Sequence, residues 1–226
     1  LNASAFLGGK IQVYTGLFHY ADTEDEFASV LAHEISHVTQ RHIARFIEEQ
    51  LDRQPLTIAS MIGAVAMAVI NPMMGMAALS TSIGATTQAD INFTRSNEYE
   101  ADRLGIDLLY KAGFNPYGMS NLFQKLTAMQ GNINPVFSML IDHPLSEIRT
   151  AEAINRARSY PQRKNSKNPD FMLAKARIDV RYMNYDLKAF YEHLKADPNK
   201  INRTYRLYAL ALIAFELKQY SQAQAY

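Results

Sequence analysis

Apolar residues recur in three different patterns along this 226-residue chain. Between Phe6 and Leu17, the pair Gly8-Gly9 is followed by Ile11, Val13 and Tyr14, which predicts a strand that begins at a tight turn. After Thr23 the rhythm becomes helical, with Phe27, Val30, Leu31, Ile35 and Val38 on one side and a Thr23/Glu26 capping box at the start. A second helical stretch opens at Ser96-Asn97-Glu98-Tyr99-Glu100-Ala101-Asp102 and runs to about Gly113. A Pro- and Asn-bearing loop follows Gly131, and a polar helix then reaches about Ser159.

The third pattern is the absence of charge from Leu56 to Ala89, a stretch that holds Met61, Met67, Met73, Met74 and Met76. A membrane-spanning helix needs about 20 apolar residues. Here Asn71-Pro72 interrupts the run after Ile70, and Gly75 and Gly84 are expected to break the remainder, so no span is predicted. A buried hairpin packed on the rest of the fold is the default reading. A flap that contacts unfolded clients and a segment touching lipid are the alternatives, because methionine adapts to irregular apolar partners.

Residues 161–168, within Pro161-Gln162-Arg163-Lys164-Asn165-Ser166-Lys167-Asn168-Pro169, predict an exposed basic linker. Beyond it, from 169 to 226, Phe171 aligns with Tyr205, Leu173 with Leu207, Ala176 with Leu210 and Ala189 with Ala223, a period of 34. That is the tetratricopeptide length, each repeat a helix pair. Two such repeats do not make an independent solenoid, so they either dock on the preceding domain or continue further. A generic helical tail is the plainer alternative.

Composition bounds the rest. The chain is 48% hydrophobic, enough for one good core and a smaller second unit. A formal charge of +1 argues against nucleic-acid binding. With no cysteine, disulfides and thiolate metal sites are excluded, but an oxidising compartment is not. The chain starts Leu1-Asn2 without Met and stops in a helical pattern at Gln224-Ala225-Tyr226, so a fragment lacking N-terminal and C-terminal parts is expected.

The chemistry lies in His33-Glu34-Ile35-Ser36-His37, inside the first helical pattern. Histidines at i and i+4 project from one face about 6 Å apart, within reach of a single zinc ion. Glu34 then sits beside the metal as a candidate general base. A surface helix with incidental histidines is the alternative. A catalytic zinc site takes three protein ligands, and without cysteine the third is a histidine or a carboxylate. Glu98 and Asp102 share a helical face, so Glu98 can ligate while Asp102 accepts from the far nitrogen of a ligating histidine. Both could equally serve as dipole partners at a helix start. Glu100 points away from them, His42 is read as surface, and His19 and His193 as structural.

HEISHVTQRH, followed at this distance by NEYEAD and then by His143-Pro144-Leu145-Ser146-Glu147-Ile148-Arg149, resembles the zinc metallopeptidases that include the CAAX prenyl endopeptidases and the HtpX-type membrane proteases. The likeness extends over nearly the whole chain and is greatest to a bacterial periplasmic branch joining such a domain to tetratricopeptide repeats. It implies one Zn2+ per chain held by His33, His37 and Glu98, with Glu34 as base and Asp102 behind a ligand. For His143 it leaves two roles open, stabiliser of the oxyanion or a further zinc ligand that holds the resting enzyme shut. Arg149 could contact substrate, hold its loop or be a plain surface arginine. The strand carrying Ile11 and Val13 would border the cleft and bind substrate backbone by β-augmentation, an ordinary sheet strand being the alternative.

The fold class expected is therefore α+β: a zincin-like, mostly helical metalloprotease domain with a small sheet over residues 1–160, then tetratricopeptide-like repeats. The activity implied is endopeptidase cleavage of misfolded or misassembled envelope proteins. Outer-membrane protein assembly machinery would be met through the repeats, the location would be periplasmic, and residues 56–89 could touch the membrane surface. The rival is a chaperone or assembly scaffold whose zinc site is silent or structural.

Overall fold

The computed structural model describes residues 2–129, 143–196 and 201–226. The loop expected after Gly131 lies outside the described residues. The chain opens with an antiparallel hairpin, β1 (Ala3–Phe6) and β2 (Lys10–Val13), whose register pairs Ala3 with Val13 and Ala5 with Ile11. The predicted strand is β2, and β1 is an element the apolar pattern did not announce. After a short α1 (Gly16–Tyr20), helix α2 (Glu24–Thr39) carries the HEISH segment. Thr23 caps α2 by accepting from the Glu26 N–H, and Glu26 reaches back to the Asp22 N–H, a variant of the expected box.

Two long helices follow, α3 (His42–Ile70) and α4 (Pro72–Lys111). Asn71 separates them, its side chain accepting from the Met73 and Met74 N–H groups while Pro72 takes the first helical position, where no N–H is needed. The second helical stretch therefore begins at Pro72, not Ser96, and at 40 residues α4 is about 60 Å long. Glu98 and Asp102 stand in mid-helix, so the dipole-partner reading does not apply to them. Gly75 and Gly84 leave α4 unbroken. At Gly75 a Cβ would come within 2.3 Å of the Ala68 Cβ, so glycine is what lets the two helices meet just after their turn.

Buried-hairpin packing is overturned for Leu56–Ala89. The segment is a two-helix arm with its large apolar side chains facing outward: Leu56 is 74% exposed, Ile70 87% and Met73 82%. Small and hydroxyl residues form its seam, with Ala64 and Gly75 buried and the hydroxyls of Ser60 and Ser82 paired. Among the described residues no helix is long and apolar enough to cross a membrane.

Helix α5 (Tyr117–Met129) packs on α2, and α6 (Glu147–Arg158) closes over α5 and α4. Ala3, Leu17, Val30, Leu122 and Leu126 form one core cluster and Ile106, Met119, Phe123 and Ala153 a second. The 161–168 segment is largely exposed, as expected, but tethered: Asp25 accepts from the Ser166 N–H, Asn165 from Asn115, and Arg163 lies over the Tyr110 ring. Helices α7 (Pro169–Tyr182), α8 (Leu187–Ala196) and α9 (Arg203–Glu216) share a third core around Ala176, Leu194, Leu210 and Ile213, and the short α10 (Tyr220–Ala225) follows with no buried residue of its own. They dock on the first domain through His19, whose Nδ1 is 2.8 Å from Asp179, and through Lys175, which donates to the Phe18 and Ala21 carbonyls. His19 is thus structural, as expected.

Candidate metal centre

The site is made where α4 crosses α2. Gly105 permits the crossing, because a Cβ there would meet the His33 backbone nitrogen at 3.2 Å. One and two turns earlier on α4, Asp102 and Glu98 consequently face the two histidines. The His33 and His37 Nε2 atoms are 2.9 Å apart, and Glu98 reaches both, with Oε2 3.4 Å from His33 Nε2 and Oε1 3.3 Å from His37 Nε2. From the segment before α6, His143 brings Nδ1 to 3.0 Å from Glu98 Oε1 and 3.4 Å from His33 Nε2. Ligand atoms of His33, His37, Glu98 and His143 all lie within 4.8 Å of one another.

Behind His33, its Nδ1 lies 3.0 Å from Asp102 Oδ1, the placement expected for a carboxylate that orients a ligand. Arg149 is not a plain surface arginine, and it lines a cavity with Ile91, Arg95, Pro144 and Ile148. It is 4% exposed, and its guanidinium grips Asp102 through Nε and Nη2 (2.7 and 2.8 Å), approaches Glu98 Oε2 at 2.9 Å and donates to the Pro144 carbonyl at 2.8 Å. It thereby ties the His143-Pro144 segment to α4, which is the loop-holding role among those expected. A bidentate arginine also offsets the cost of burying two carboxylates side by side.

Glu34 is fully buried beside the cluster, with His143 Nε2 3.4 Å away and the Ala5 N–H facing it. Neither of its oxygens makes a well-formed hydrogen bond among the described residues. Burial raises its pKa from the ordinary 4.5. For Glu98 burial acts in the same direction, but hydrogen bonds from His143, His33 and His37 outweigh it and hold the group well below the carboxylate range. Burial alone would lower His33, yet Asp102 and Glu98 override it and lift the imidazole to about 10. Burial takes His37 down to about 4. The field at this point favours one positive charge, and the donors converging on it are imidazole nitrogens and a carboxylate. That set fits Zn2+.

Two features were missed in the sequence. His42, read as surface, is 3% exposed; its Nδ1 is 2.9 Å from His37 Nδ1 and its Nε2 is 3.1 Å from Glu100 Oε2. Glu100 was read as pointing away, and it does face away from Glu98, but toward His42 and Arg45. Angular spacing misplaces His42 because the helix does not continue through Arg41, whose φ of 55° separates α2 from α3 and re-aims the chain. The second feature is the strand beside the site. β1 packs on α2 and brings Ala5 to Glu34, whereas Ile11 and Val13 sit on its partner strand β2.

A helix bearing two histidines and a glutamate, crossed by a second helix bearing a third donor, defines a metal centre of the HExxH kind. The model of Peptidase family M48 matches residues 1–157, and the chain belongs to that family. It is 39% identical over 226 residues to the beta-barrel assembly-enhancing protease of Escherichia coli K12, covering 99% of this chain and 46% of that protein. It is 44% identical over 178 residues to the protein of that name from Yersinia pestis, covering 79% of this chain and 37% of the relative. The metalloprotease LoiP of Escherichia coli K12 is 28% identical over 158 residues, 69% of this chain and 58% of that protein. The chain spans about half the length of the first of these relatives.

Proposed function

We propose that this chain carries the catalytic domain of a zinc-dependent endopeptidase, with His33, His37 and Glu98 as ligands and Glu34 as the general base. The observation that carries this reading is the convergence of those donors on one point with a fully buried glutamate next to it. Zinc, when bound, supplies Lewis acidity toward the scissile carbonyl and acidity to the attacking water. Glu34, its proton affinity raised by burial, takes the proton from that water and passes it to the leaving amine. Asp102 holds His33, and Arg149 holds Asp102 and the segment carrying His143.

His143 lies in the cluster itself, at hydrogen-bonding distance from Glu98. This placement favours the role of a fourth ligand that closes the resting site over that of an oxyanion stabiliser. His143→Ala then raises proteolysis; a fall with zinc retained would support the oxyanion role. Substrate backbone is assigned to the edge of β1 that faces away from β2, where the Ala5 N–H faces Glu34, in place of Ile11 and Val13.

The names of the relatives support clients among outer-membrane β-barrel proteins and a periplasmic site of action. Tetratricopeptide-like organisation of residues 169–226 is supported by features 34 residues apart: side-chain caps at Asn168 and Asn202, and positive φ at Asn184 and Lys218. These helices are the surface assigned to the assembly machinery. The exposed arm supports contact with apolar client segments or a membrane surface. Glu34→Gln tests the reading: it abolishes cleavage of an unfolded protein while zinc stays bound. If client assembly survives that substitution unchanged, the scaffold reading gains.

A further inference from the structure

Each imidazole has one nitrogen to give to a metal, and what it offers depends on where its other proton is held. For His33 the group facing Nδ1 is the Asp102 carboxylate, 3.0 Å away and gripped by Arg149. For His37 the structure holds a longer arrangement with the same logic. His37 Nδ1 faces His42 Nδ1 at 2.9 Å, His42 Nε2 faces Glu100 Oε2 at 3.1 Å, and Arg45 Nη1 reaches that same oxygen at 3.0 Å.

With His37 Nε2 given to a metal ion, in place of the hydrogen bond it makes to Glu98 in the metal-free site, the proton assignments along this row have one consistent solution. An ionised carboxylate only accepts, so Glu100 takes the N–H of His42 Nε2. A neutral His42 then carries its lone pair on Nδ1, and that lone pair accepts the N–H of His37 Nδ1. His37, its Nδ1 proton so placed, is left with a lone pair on Nε2, the atom that faces His33 and Glu98. Arg45 keeps the far end of the row ionised.

Resting on the zinc reading above, we propose that His42 is a positioning residue of the metal centre: with Glu100 it fixes the tautomer and ring orientation of His37 so that Nε2 is presented to the ion. The αL conformation of Arg41 is what delivers His42 there, by starting α3 with the imidazole turned back against α2. The two ligand histidines are thus braced in parallel ways, one directly by a carboxylate and one through an intervening imidazole. Glu100 and Asp102, two residues apart on α4, terminate the two braces.

The test is zinc affinity, measured by chelator competition on the whole chain, alongside the thermal midpoint of each metal-free variant. His42→Phe keeps the ring volume but removes the acceptor, and weakens zinc binding about 10- to 100-fold. His42→Asn places an amide oxygen where Nδ1 stood and restores affinity to within several-fold of wild type, a recovery that packing alone does not produce. In nitrogen-15 spectra of the zinc-loaded protein, the His37 Nδ1–H is protected from exchange in wild type and in His42→Asn, and unprotected in His42→Phe. Equal zinc affinity of folded His42→Phe and wild type overturns this inference alone. Absence of zinc binding by wild type overturns the metal-centre reading, and this inference with it. Should His42→Phe fail to fold, Glu100→Ala, altered at the partly exposed end of the row, carries the test, and undiminished affinity there contradicts the proposal.

Discussion

Helices α3 and α4 run side by side for most of their length, yet their two ends obey opposite rules. Near the site they bury charge: Glu98 and Asp102 lie under Arg149, and His42 between His37 and Glu100. In the arm they carry no charge from Leu56 to Ala89 and expose isoleucine, leucine and methionine while Ser60, Ala64 and Gly75 meet inside. Apolar composition therefore says nothing by itself about which end is the interior. What decides is whether a partner element covers the face. At the base α2, α5 and α6 do so, whereas in the arm, among the described residues, the large apolar side chains of the two helices stay exposed.

The sharpest way to break this contrast is to unpair the base. Arg149→Met leaves Asp102 and Glu98 buried without their cation and lowers unfolding stability by about 3–5 kcal/mol, read from urea titration of the metal-free chain. The arm's seam should be less costly. Gly75→Val drives a side chain into Ala68 and costs about 1–3 kcal/mol, seen as faster hydrogen exchange in the arm with zinc affinity unchanged.

Acid separates the two ends further. Burial would raise Asp102, but Arg149 and His33 hold it below its ordinary 3.8. A carboxylate depressed in the folded state contributes stability that is present above 3.8 and lost as pH falls toward its folded value. Metal-free protein should therefore lose hydrogen-exchange protection in α2 and the base of α4 as pH drops below about 4. The arm, having no titratable side chain from 56 to 89, should not respond. At the small end, Ile62→Ser or Met73→Ser should alter stability by less than about 0.5 kcal/mol, because neither side chain is covered. A loss of several kcal/mol at these positions would mean that the arm is packed after all.

Much of the centre was legible because its spacing is local. His33, Glu34 and His37 share one helix, Glu98 and Asp102 another, and i, i+4 geometry holds within each. His42 was not legible, since a single residue at positive φ between it and His37 cancels any angular extrapolation. Nor was β1, whose Ala3-Ser4-Ala5-Phe6 lacks the branched residues that mark a strand and is held by pairing with β2 and packing on α2. Burial of Arg149 depends on two carboxylates brought from 47 and 51 residues away in sequence, a tertiary fact with no local trace. The arm shows the same limit from the other side: its chemistry could be read, but not its surroundings.

The central claim is that Glu34 moves the proton at a centre held by His33, His37 and Glu98. It is tested most directly by measuring bound zinc and cleavage of an unfolded protein for Glu34 and Glu34→Gln chains, each with His143 and with His143→Ala. About one zinc per chain is expected throughout and, wherever Glu34 supports cleavage, a loss of at least about a hundredfold with glutamine. Cleavage by Glu34→Gln at the parental rate, or a folded chain that takes up no zinc, would contradict it.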